Sequence, residues 1–167
     1  MKRKKKVKLY IFMAILVGFL GLSACGTVTV KADISEYGDM PITIVGVGDT
    51  EFQVTANELS QLPCISQSVS GKTEKAGTIK AVGPTLETFL AQYGKDISDY
   101  TRIRFEAADG YKKGFLQEEL ATHEFILAVA NGDLPLGKEE APLRLVVPGA
   151  ASDQWVRMVI RIEFITE

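Results

Sequence analysis

A chain of 167 residues has room for one domain and at most a leader besides. Its 46% hydrophobic and 24% charged residues are ordinary globular composition, which excludes collagen-like, low-complexity, disulfide-stapled and multi-span membrane classes. The net charge of −2 hides an asymmetry: residues 1–24 hold six of the 19 basic groups and none of the 21 acidic ones, leaving 13 against 21, a net −8, on residues 25–167. Phosphates repel so acidic a body, which argues against nucleic acid as a partner.

The basic groups Lys2, Arg3, Lys4, Lys5, Lys6 and Lys8 are followed by sixteen uncharged residues, Leu9–Ala24. That is the n-region and h-region of a secretory signal, and it is short of the roughly 20 apolar residues of a spanning helix. The junction Leu22-Ser23-Ala24-Cys25 resembles the bacterial lipobox. The resemblance implies cleavage before Cys25 and acylation of its thiol, with the mature protein lipid-anchored on the extracytoplasmic face of the cell membrane; the alternative is an uncut signal anchor with an incidental Cys25. With Cys25 acylated, Cys64 is the one thiol left, and no internal disulfide forms. Residues 1–24 are thus expected to be a signal peptide, 25–40 a polar tether that lifts the domain off the lipid, and 41–167 the domain.

Within the domain, Ile42–Val47 and the alternating Phe52 and Val54 predict a hairpin across Gly48-Asp49. Thr55-Ala56-Asn57-Glu58 is a capping box, opening a short helix that Pro63 stops. Ile65–Val69 and Thr78–Val82 read as strands around a polar loop. Leu86, Phe89, Leu90 and Tyr93 form one stripe of a second helix, closed by Gly94. Thr101–Glu106 alternates as a half-buried strand, Asp109-Gly110 is a turn, and Leu116–Leu120 makes one helical turn. Phe125–Val129 is a buried strand, Asn131-Gly132 a hairpin turn, and Leu143–Val147 and Trp155–Ile165 are the last strands. Strands outnumber the few short helices, so the fold class is α+β with a mixed sheet.

Five of these segments, in order, resemble the sulfite-oxidase-type molybdopterin-binding domain family. Gly83-Pro84-Thr85-Leu86-Glu87-Thr88-Phe89-Leu90 is similar to its Gly-Val-x-Leu-x-Asp-Leu-Leu stretch, Ala108-Asp109-Gly110-Tyr111 to its Asp-Gly-Tyr turn, and Asn131-Gly132-Asp133-Leu134-Pro135-Leu136 to its Asn-Gly-x-Pro-Leu hairpin. Pro142-Leu143-Arg144-Leu145-Val146-Val147-Pro148 is similar to its Pro-x-Arg-Leu-Val-Val-Pro motif, and Trp155–Ile162 to its closing strand. The resemblance implies a molybdenum cofactor, held by a pterin dithiolene and one protein cysteine, and two-electron redox chemistry on a small oxyanion-like substrate with a membrane redox partner. It makes Arg144 and Arg157 the cofactor-binding candidates and Cys64 the metal candidate. In the family the metal cysteine falls nearer Ser66–Ser70, and a lone cysteine is most often a small core residue. Glu139-Glu140 put two carboxylates beside a site meant for an anion, where like charges oppose binding. The alternative is a cofactor-free module that keeps the fold as a scaffold for a ligand or partner.

His123 is the one histidine, and no Gly-x-Ser-x-Gly elbow accompanies it. Glu118-Glu119 and Asp96/Asp99 read as solvated faces, and Lys112-Lys113 as exposed lysines.

Overall fold

The computed structural model describes residues 26–71 and 77–167. The segment read as a signal peptide, Cys25 and most of the polar loop after Val69 lie outside the described residues.

Pro41–Val45 (β1) and Phe52–Thr55 (β2) form the expected hairpin. The Thr55 hydroxyl accepts from the Glu58 amide and the Glu58 carboxylate accepts from the Thr55 amide, which opens Ala56–Ser60 (α1) as the sequence predicts. Ile65–Ser70 (β3) pairs antiparallel with Thr78–Gly83 (β4). Leu86–Ala91 (α2) buries Leu86, Phe89 and Leu90, and Gly94 ends it at φ +65°, with the amides of Gly94 and Lys95 donating to Ala91 and Leu90. Arg102–Ala107 (β5) buries Ile103, Phe105 and Ala107, and pairs across the Asp109-Gly110 turn with Lys112–Leu116 (β6). Gln117–Thr122 (α3), Ile126–Ala128 (β7), Ala130–Asn131 (β8), Leu134–Pro135 (β9), Arg144–Val146 (β10) and Val159–Ile165 (β11) complete the order.

Among the described residues the strands form a five-stranded sheet, β2-β1-β11-β5-β6, a four-stranded sheet, β3-β4-β8-β9, and a pair, β10-β7. The first and last strands run parallel at the centre of the larger sheet, Ile44 opposite Ile162. One apolar cluster joins the sheets, with Phe105, Phe115 and Phe125 in consecutive edge-to-face contacts.

Two expectations are corrected. Packing starts well before Pro41: Ile34 and Tyr37 are buried, and the Tyr37 hydroxyl donates to the Val129 carbonyl and accepts from the Leu136 amide, both at 2.8 Å. The segment 33–40 therefore belongs to the domain and not to a tether. The final strand is not continuous from Trp155 either. Val156 exchanges both backbone bonds with Leu145 of β10, Met158 turns through φ +52°, and only from Val159 does the chain enter the large sheet.

Candidate functional site

Arg144 opens β10 opposite Ala128 of β7, and its side chain is 11% exposed. One of its terminal nitrogens donates to the Glu140 carboxylate, so the twin glutamates do not simply oppose an anion. Glu140 turns in to neutralise Arg144, while Glu139 stays exposed. Glu140 is itself placed by its backbone: its amide donates to Gly137, and its carbonyl accepts from Met158 at 3.0 Å. The guanidinium lies over the Trp155 ring at 5.4 Å, and the Trp155 indole is fixed by donating to Val147 at 3.0 Å. Burial weakens the hold of Arg144 on its proton, Glu140 strengthens it, and the neighbouring positive charge of Arg157 weakens it again.

Arg144 and Arg157 are thus close enough to repel each other, with Arg157 on the exposed side. Two polar atoms at this corner are buried without a partner, Nε of Arg144 and Oε1 of Gln154. Gln154 belongs to the 3-10 turn Ser152–Gln154, whose rise leads directly into Trp155. Arg144 and Arg157, the two candidates from the sequence, do lie near each other, whereas the sequence reading gives Trp155 only as part of a strand and passes over Gln154. No sequence rule links Glu140 to Arg144, since a four-residue interval brings side chains together on a helix and here it spans a turn.

Cys64 is elsewhere, just before β3, and fully buried. Its Sγ lies 3.8 Å from the carbonyls of Leu59 and Ser60, and burial pushes the thiol up to about 11. Among the described residues no three His, Cys, Asp or Glu side chains gather as metal donors. His123 ends α3 half-buried, its amide donating to Glu119. Lys112 is exposed and pairs with Glu106 at 3.1 Å, while Lys113 is half-buried and lies 5.4 Å from the Phe115 ring centroid. Asp96 and Asp99 cap a 3-10 turn, and Glu119 accepts from the Leu116 amide. A cavity of about 340 Å³ opens against β3, β4 and the β8–β9 turn, with Lys31, Ser66, Lys80 and Asp133 among its walls.

A family model described as the oxidoreductase molybdopterin binding domain matches residues 32–167. Among solved structures the fold is similar to the sulfane dehydrogenase SoxCD from Paracoccus pantotrophus, with a TM-score of 0.61 and 20% identity over 83% of this chain and 40% of that one. The chain therefore spans less than half the length of that relative. No curated protein matches it.

Proposed function

The chain belongs to the oxidoreductase molybdopterin-binding domain family, and from that premise we propose that it is a lipid-anchored, extracytoplasmic member whose domain binds a small ligand or membrane partner without a resident molybdenum. Membership implies a molybdenum held by a pterin dithiolene and a protein thiolate, with cationic groups for the pterin phosphate. The residues of this chain meet those demands poorly. Ligation takes a deprotonated thiol in an electropositive, accessible setting. Cys64 is sealed behind the end of α1 against two carbonyl oxygens, with its thiol held protonated far above neutral pH. Nearer the family's cysteine position β3 offers Ser66 and Ser68, exposed hydroxyls and not thiols. One terminal nitrogen of Arg144 is already engaged by Glu140. The donor set does not fit the group, and the sealed Cys64 is the observation that carries this reading.

Molybdenum analysis of the detergent-extracted lipoprotein from a molybdenum-replete host tests it. The expected content is far below one metal per chain. Stoichiometric molybdenum that disappears in a folded Cys64→Ala variant would overturn the proposal.

One observation supports a second reading, redox chemistry at molybdenum with Arg144 and Arg157 positioning the cofactor or an oxyanion substrate. Nε of Arg144 is a buried donor without an acceptor, and the charge of Arg157 stands beside it on the exposed side. A buried N–H is costly to leave unmade, so an anion there would be favoured. Calorimetric titration with phosphate, sulfite and extracted molybdopterin separates the readings. Tight binding of molybdopterin, lost in Arg144→Ala, would favour the second.

A further inference from the structure

The sequence makes Cys25 the lipidated residue, and the structure limits how far the body can stand from it. The Val28 amide donates to the Cys64 carbonyl at 2.8 Å, as an antiparallel bridge at the start of β3. Only Gly26 and Thr27 lie between that bridge and Cys25. Three Cα steps cover at most about 11 Å. A free sixteen-residue tether over 25–40 would instead have a root-mean-square reach of roughly 20–24 Å and a far larger maximum. Beyond Val28 the chain stays fixed: Val30 and Ala32 pack on the core, Ile34 and Tyr37 are buried in it, and the Tyr37 hydroxyl both donates and accepts a hydrogen bond.

We infer that the lipid on Cys25 holds the domain flush against the bilayer in one orientation, with the Val28 segment and the α1–β3 junction facing the phospholipid headgroups. The inference rests on the lipidation reading of the proposed function and adds the docking surface. Several features suit that surface to its occupant. Gln61 and Pro63 are exposed at the junction, and together with Thr27, Val28 and Thr29 they line a shallow depression of about 340 Å³. Its walls are uncharged, which a polar headgroup layer tolerates. The adjoining cavity brings in the exposed Lys31 and Lys80 against a single carboxylate, Asp133. The rest of the body is strongly acidic. An anionic bilayer would attract this edge and repel other faces, which favours the same orientation that the short linkage imposes.

The experiment uses the full chain in proteoliposomes of anionic phospholipid that carry a headgroup nitroxide quencher. An environment-sensitive fluorophore is attached at Gln61→Cys, or at Ala108→Cys in the β5–β6 turn, across the five-stranded sheet from β2, the strand that leads into α1. The expected result is a loss of fluorescence at position 61 and none at 108. A twelve-residue Gly/Ser insertion between Gly26 and Thr27 should restore the emission at 61 while the protein stays membrane-bound. Equal emission at the two positions, or quenching at 61 that the insertion leaves unchanged, would overturn the orientation. Acyl labelling on Cys25, measured on the same samples and lost in Cys25→Ser, distinguishes the two failures: an acylated chain with equal emission overturns only the flush docking, whereas an unacylated chain overturns the lipid anchor and the docking with it.

Discussion

Arg144 is 11% exposed, and a guanidinium taken that far out of water is tolerated only where a carboxylate meets it. Glu140 is that carboxylate. Changing Glu140→Gln should lower stability by about 3 kcal/mol, since it leaves a mostly buried charge without its partner. The same change at exposed Glu139 should stay within about 0.5 kcal/mol. Urea denaturation of the two variants checks the contrast. Cys64 permits a second test. Its thiol is protonated in both states below pH 9; the unfolded thiol ionises near 9.0 and the folded one near about 11. The folded state therefore keeps a proton that the unfolded state gives up, and the contribution of Cys64 to stability is complete below pH 9 and lost as pH rises towards 11. Two units of separation amount to roughly 2–3 kcal/mol. Subtracting the pH profile of Cys64→Ala from that of the wild type, by denaturation at pH 8 and pH 11, isolates this loss from that of the tyrosines.

Two glycines illustrate how elements set the cost of one substitution. Where β4 crosses towards β7, a Cβ on Gly83 would stand 2.0 Å from the Leu127 carbonyl oxygen, and the bond from the Leu127 amide to the Pro84 carbonyl fixes that approach. Gly83→Ala should cost about 3 kcal/mol or more, because backbone and not a flexible side chain must move. At the end of α2, Gly94 meets nothing, and Gly94→Ala should cost only about 1 kcal/mol for its left-handed φ. Thermal melts of the two variants should rank them in that order. Local rules make much of this layer readable from the sequence. The alternation in β5, the stripe of α2 and the Thr55–Glu58 box each depend on residues a few positions apart. The parts that escape are those set at long range. Nothing near Tyr37 announces that its hydroxyl will meet Val129 and Leu136, 92 and 99 residues on. Nothing near Trp155 announces that the chain will pair first with β10 and only then, beyond Met158, with the large sheet. The candidate site divides in the same way: the motif around Arg144 is legible, but its engagement with Glu140 and Trp155 depends on a turn that is not a helix.

At the scale of the whole molecule, β11 is the middle strand of five, parallel to β1 and antiparallel to β5. A chain ending at Met158 should lose cooperative unfolding altogether, since β1 and β5 would each lose their shared neighbour; circular dichroism during a melt would detect the absence of a transition. The ladder from β1 to β11 has a temporal consequence too. A polypeptide delivered N-terminus first, from a ribosome or through an export channel, presents its opening strand more than a hundred residues ahead of the partner that completes it. Loop closure over that distance cannot occur until the C-terminal segment is released, so the larger sheet is assembled only after delivery is finished. The N-terminal end is therefore exposed to whatever meets it on delivery while the larger sheet is still open, and the completed domain forms only afterwards.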